Sequence, residues 1–192
     1  MHGAEDSHLL PAPTRASVTS SRTLASGAEA VGQLKEKGLS VEGIAIDLTS
    51  DDSISAAAQT LSKKHERIDV LVNNAGICRD LSKQPDLISL RKVYKETSNT
   101  NVFGTAVLTE HLVPLLSKSE SPRIVFLLSV LGSISDRMKP DSQYAGLEVY
   151  VYSTSKTALN MVAATYVKRF REQGWKVNAA CPGSVSTGMN GF

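Results

Sequence analysis

The chain is expected to fold as an α/β protein, with a mostly parallel sheet in a three-layer α/β/α arrangement. Three observations predict this. Short β-branched runs alternate with longer stretches of helical period. Glycine, proline, asparagine or aspartate follows most of the strand-like runs. The chain has 192 residues, 41% hydrophobic and 21% charged, which suits a soluble globular domain able to bury a real core. Strand–helix–strand order implies βαβ units, and right-handed crossovers put helices on both faces of the sheet.

The elements follow in order. Residues 1–16 show no period and read as a flexible N-terminal arm, which leaves 17–192 as a single domain. Val18-Thr19 is a short strand. Ala25 to Lys37 is helical, with Ala28, Val31 and Leu34 on one face and Gly38 as its stop. Val41 to Ile46 alternates as a strand that ends at Asp47. Thr49 to Asp52 supply N-cap chemistry for a helix over Ser53 to His65. Ile68 to Val72 is an apolar strand closed by Asn73-Asn74-Ala75-Gly76. A long helix is expected from Leu87 to Leu116, then a buried strand from Arg123 to Leu128. Residues 132–148 read as loop, Val151 to Glu172 as helix, and Lys176 to Ala180 as the last strand.

Composition removes several function classes. A formal charge of +2 with no dense basic stretch gives no footprint for nucleic acid. Lys63-Lys64 and Lys168-Arg169 read as solvated helix faces. The longest apolar stretch is broken by Ser129 and falls far short of the ~20 residues a membrane helix needs. Met1 to Pro13 lack the basic and apolar regions of a secretory signal. Cys78 and Cys181 have no metal-ligand spacing and read as packed thiols of a reduced, cytoplasmic protein. His65 and His111 lack a partner pattern, so no metal site is expected.

Chemistry concentrates in Tyr152-Ser153-Thr154-Ser155-Lys156. On a helix, Tyr152 and Lys156 are adjacent on one face. A free phenol with a pKa near ~10 is a poor acid or base at neutral pH. A neighbouring ammonium stabilises the phenolate, which would make Tyr152 a general acid or base. Alone, the pair is an ordinary amphipathic spacing. Its weight comes from Asp47, Asn73 to Gly76, Ser129 and Pro182-Gly183, all at expected strand ends, where ligands of parallel sheets sit.

Taken in order, these motifs resemble the short-chain dehydrogenase/reductase family. Its NNAG motif appears as Asn73 to Gly76, its helix asparagine as Asn101 in Thr-Asn-Val-Phe-Gly, and its SxxG as Ser129 to Gly132. YxxxK appears as Tyr152 to Lys156, and PGxVxT as Pro182 to Thr187. The resemblance spans about residues 18–190 and implies a Rossmann-like domain. It implies that Tyr152 is the acid/base and that Lys156 lowers its pKa and holds the nicotinamide ribose. Ser129 would bind the substrate carbonyl oxygen, and Asn101 would hold a water linking Lys156 to solvent. For the cofactor, Asp47 would contact adenine, and Asn74, Ala75 and Gly76 would line the adenosine ribose. Val185 and Thr187 would hold the carboxamide. Arg22 after the first strand, with no acid nearby, implies NADP rather than NAD.

The chain departs from the family in three places. No TGxxxGxG turn precedes Arg22; Gly27 and Gly32 lie in the helix that follows the Val18-Thr19 strand. A strand is therefore expected to be missing between those near Val18 and Ile68. The chain also stops soon after Thr187, so the fold is expected to be incomplete at both ends. An insert over Ser133 to Val151 resembles the carbonyl-reductase-like branch. The leading expectation is an NADP-dependent oxidoreductase acting on a small-molecule ketone or quinone carbonyl, or on the alcohol, in specialised (secondary) metabolism. A homo-oligomer stays open. Two alternatives remain: a non-redox proton-transfer enzyme (dehydratase or cyclase) on this scaffold, and an inactive, truncated interaction protein.

Overall fold

The computed structural model describes residues 17–78, 87–144 and 146–183. The expected arm over 1–16 lies outside them. The chain divides at Asp47–Leu48 into two compact units.

The first unit is a βαβ hairpin of parallel strands. Strand β1 (Ser17–Ser21) leads through helix α1 (Leu24–Glu36) to β2 (Val41–Ala45). The strands pair in parallel, from Ser17 opposite Val41 to Ser21 opposite Ala45. Gly38 stops α1 in the left-handed region at φ 77°, where a side chain is disfavoured. The N–H of Leu39 then closes on the Leu34 carbonyl at 3.2 Å, satisfying an end of the helix.

The second unit begins with helix α2 (Asp51–Lys64). Ser50 caps it, its Oγ accepting from the Ser53 N–H at 3.2 Å. Asp51 and Asp52 sit in its first turn and Lys63 and Lys64 in its last, each matching the helix dipole. Then come β3 (Val70–Asn73), α3 (Leu87–Ser98), a π-helical turn (Asn99–Gly104) and α4 (Thr105–Leu116). β4 (Arg123–Leu127), a 3₁₀ turn (Val130–Gly132), α5 (Ile134–Arg137), α6 (Tyr150–Phe170) and β5 (Lys176–Ala180) complete it. The sheet is three-stranded and parallel, in the order β3-β4-β5.

The strands advance in one direction across this sheet, and right-handed crossovers then deliver their helices to one face. Side chains bear this out. Asn73 Nδ2 donates to Thr109 of α4 at 3.1 Å. Phe126, fully buried, stacks on Tyr166 of α6 at 5.7 Å between ring centroids. The stack continues to Phe170 at 6.1 Å and Trp175 at 4.0 Å, binding β4, α6 and the approach to β5 together. On the opposite face Val70 and Val72 remain 40% and 54% exposed. Among the described residues β1 pairs only with β2, and β3 only with β4.

Two expectations change. The helix predicted over 87–116 is interrupted by the π-turn, whose Gly104 lies so close to Leu48 that a Cβ there would collide with the Leu48 carbonyl oxygen. The loop predicted over 132–148 holds α5, started by Ser133 Oγ accepting from the Asp136 N–H at 3.2 Å. No helix among the described residues is long and apolar enough to cross a membrane.

Replacing the fully buried Phe126 by alanine removes the base of the aromatic stack. Chemical denaturation should show a loss of about 3–5 kcal/mol.

Candidate active site

The parallel strands β3, β4 and β5 deliver their carboxyl ends to one edge of the sheet. Asn73-Asn74, Leu127 to Ser129 and Ala180-Cys181 therefore emerge side by side. The Leu128 N–H donates to the Ala180 carbonyl at 2.8 Å and keeps β4 and β5 paired to this point.

Ser129 turns the chain out of β4, its Oγ accepting from the Leu131 N–H at 3.2 Å. Gly132 then rests directly on helix α6: a Cβ would lie 2.8 Å from the Lys156 carbonyl carbon and 2.9 Å from its Cβ. The carbonyl of the buried Gly132 accepts from Thr157 Oγ1 at 2.9 Å and from Asn160 Nδ2 at 3.2 Å. The SxxG spacing thus has a steric cause. Only a residue without a side chain lets the turn seat on α6, and that seating brings Ser129 close enough to Tyr152 to lower the pKa of the phenol.

Tyr152 and Lys156 share one face of α6, with Lys156 Nζ 5.6 Å from the Tyr152 ring centroid. Lys156 is buried, and its ammonium donates to the Leu127 carbonyl at 2.8 Å. Burial lowers its pKa, partly opposed by negative charge on the Cys181 sulfur. The expected depression of the Tyr152 pKa does not result. Burial pushes the phenol above its ordinary 10.0, negative charge on the Cys78 and Cys181 sulfurs pushes it further, and only Ser129 pulls it down. Desolvation of the phenolate outweighs the stabilisation expected from the ammonium.

Asn101 lies in the π-turn and is fully buried. Its Oδ1 accepts from the Ile77 N–H at 2.8 Å. Its Nδ2 donates to the Ile77 carbonyl at 2.9 Å and to Ser155 Oγ at 3.0 Å. Both amide donors are engaged, so a water at Asn101 would have to donate to one of its oxygens.

The cofactor residues divide. Asn74, Ala75 and Gly76 form the loop leaving β3, with Asn74 and Ala75 exposed. Tyr152 and Lys156 stand with Ser129. Arg22 and Asp47 belong to the first unit, just past the carboxyl ends of the paired strands β1 and β2, with Arg22 exposed. Val185 and Thr187 lie outside the described residues. The donor set fits the nicotinamide ribose end of a dinucleotide, since Lys156 and Tyr152 offer N–H and O–H groups at one strand end. Arg22 offers a guanidinium suited to a phosphate.

The insert is held as a compact loop. Arg137 donates to the Tyr144 and Leu147 carbonyls, each at 2.9 Å. Ser142 and Lys139 both reach Asp136, at 3.2 and 3.0 Å. Ile134, Met138 and Leu147 of this loop are exposed. Sequence reasoning missed Ser155, the seating of Gly132, the Arg137 clamp and the thiols. Cys181, expected to be packed, is exposed, and Cys78 is half-buried. β5 ends one residue before Cys181, so no ladder covers it. Only the serine four residues after Val151 on a buried helix face could have flagged Ser155.

The chain matches the family model for short-chain dehydrogenases over residues 8–192. It is 39% identical over 167 residues to a short-chain dehydrogenase of Penicillium roqueforti, covering 84% of this chain and 65% of that one. It is 36% identical over 177 residues to a short-chain dehydrogenase/reductase of Stachybotrys chlorohalonatus, covering 90% and 61%. The chain therefore spans less than two thirds of the length of these relatives. Among solved structures it is similar to the NADPH-bound carbonyl reductase from chicken fatty liver. That likeness has 27% identity and a TM-score of 0.74, over 92% of this chain and 70% of that one.

Gly132→Ala should force the turn off α6 and separate Ser129 from Tyr152. Thermal unfolding should report a loss of about 1–3 kcal/mol, the usual result of overpacking.

Proposed function

The chain belongs to the short-chain dehydrogenase family, and from that premise we propose that it is an NADP-dependent oxidoreductase. It reduces a small-molecule ketone or quinone carbonyl, or oxidises the matching alcohol, in specialised metabolism. One observation carries this reading: Tyr152 and the buried Lys156 share one face of α6, with Lys156 Nζ 5.6 Å from the Tyr152 ring centroid.

Each side chain has a task in such a reaction. Ser129 donates to the carbonyl oxygen and stabilises the negative charge that grows there. Tyr152 gives that oxygen its proton. Because burial holds the phenol above its ordinary 10.0, it stays protonated through neutral pH, which suits reduction. The alcohol-oxidising direction needs the phenolate and is disfavoured until alkaline pH. Lys156 Nζ, anchored at the Leu127 carbonyl, is placed to hold ribose hydroxyls beside the phenol. Bound nicotinamide would supply the hydride. Arg22 supports NADP over NAD, since a guanidinium pairs with the 2′-phosphate. The NADPH in the chicken enzyme supports the same choice.

A second reading, proton transfer without nicotinamide, draws on the same Tyr152 and Lys156 pair. NADPH fluorescence discriminates the two. Micromolar binding is expected, and its absence at millimolar protein would favour the second reading.

Oxidation of NADPH with a panel of ketones and quinones should fall at least about 100-fold in Tyr152→Phe, the usual contribution of a positioned acid. Equal rates would remove the assigned role. The alkaline loss of reductase rate should begin below pH 10.5, as Lys156, whose pKa burial lowers from that value, gives up its charge. A rate–pH profile with no loss up to that value would contradict a charged Lys156.

A further inference from the structure

We propose that Ser155 is a positioning residue of the active site: its buried hydroxyl joins the Asn101 amide to the first turn of α6 and so sets Tyr152 against Ser129. In its kinetic consequence the proposal rests on the oxidoreductase reading above. Its structural consequence does not.

Ser155 is 2% exposed, on the face of α6 turned to the π-turn. Its hydroxyl has one proton, which goes to the Tyr152 carbonyl at 2.7 Å. Its lone pair therefore meets the Asn101 Nδ2–H at 3.0 Å. The other Nδ2–H and the Oδ1 of Asn101 are both spent on the Ile77 main chain. A continuous chain of hydrogen bonds thus runs from the loop after β3, through the π-turn, to the residue that carries the phenol. Serine inside a helix tends to bend it by bonding back to a carbonyl one turn earlier. Here that bond falls on the carbonyl of Tyr152 itself.

Alanine at 155 would leave a fully buried amide N–H with no acceptor, a costly state that the surroundings relieve by shifting. The shift has two outlets: rotation of the Asn101 amide away from Ile77, or displacement of the first turn of α6. Either moves the phenol relative to Ser129 or to the Asn74–Gly76 loop. Ser155 touches none of the reacting groups and acts only through its neighbours.

The test uses the full chain labelled with ¹³Cζ-tyrosine. Five tyrosines give five resonances, and Tyr152→Phe assigns one of them. That resonance reports the hydrogen bonding of the phenol. Three variants are compared: Ser155→Ala, Ser155→Cys, which keeps the volume but accepts hydrogen bonds poorly, and Ser155→Thr, which keeps the hydroxyl. The Tyr152 resonance is expected to move toward that of a free phenol in the alanine and cysteine variants and to stay in place in the threonine variant. If the threonine variant does not fold, the cysteine variant decides, since it alters the acceptor and not the volume. With NADPH and a quinone, kcat should fall on the order of tenfold to a hundredfold, the scale of a misplaced catalytic group, while KM stays within about twofold. A wild-type resonance in the alanine or cysteine variant would overturn the proposal, as would an equal displacement in the folded threonine variant. A wild-type chain that shows no NADPH turnover would defeat the oxidoreductase reading and leave the resonance to judge Ser155 alone.

Discussion

The buried amide of Asn101 is the constraint on which the candidate site depends. It spends its acceptor and both donors on other parts of the chain, and none faces water. A buried polar group in this state is stabilising only while every partner stays in place. The loop after β3, the π-turn and the start of α6 are therefore not three independent segments. The π-turn is part of the same arrangement, since it carries Asn101 between the other two, and its Gly104 packs where a Cβ would meet Leu48.

Electrostatics at the site follow from this packing. Removing water from around Tyr152 and Lys156 penalises both charged forms, which raises the pKa of the phenol and lowers that of the ammonium. The phenol becomes a better keeper of its proton and the ammonium a weaker one. Ser129 alone works against this on the phenol, so its hydroxyl tunes the acid as well as facing the oxygen that would receive the proton.

The sequence made most of the fold legible because strands and helices differ in period, and each of the five expected strands appears within a few residues of its place. The strand-end motifs located the site for the same reason: parallel strands place their carboxyl ends together. What stayed hidden was short-range or steric. Helix α5 is only Ile134–Arg137 and opens on a serine cap inside a polar stretch, so no period announced it. The π-turn adds a small irregularity that leaves the surrounding pattern intact. The role of Gly132 is visible only when the turn meets α6. Ser155 stands four residues after Val151 on the buried face of α6, but the partners of its hydroxyl become visible only in the fold. Tyr152 was identified by its partner Lys156, yet the structure gives the dominant influence to burial, which sequence does not measure.

The ladder of rings from Phe126 through Tyr166 and Phe170 to Trp175 has an optical consequence. The chain contains a single tryptophan, and it lies 4.0 Å from Phe170 in an almost parallel stack. Its emission is therefore an uncontaminated gauge of whether the far end of α6 remains docked on the sheet. Tyr152 stands near the other end of that same helix. A change in the indole signal, recorded without any substrate or cofactor, would register a movement of the rod that carries the phenol.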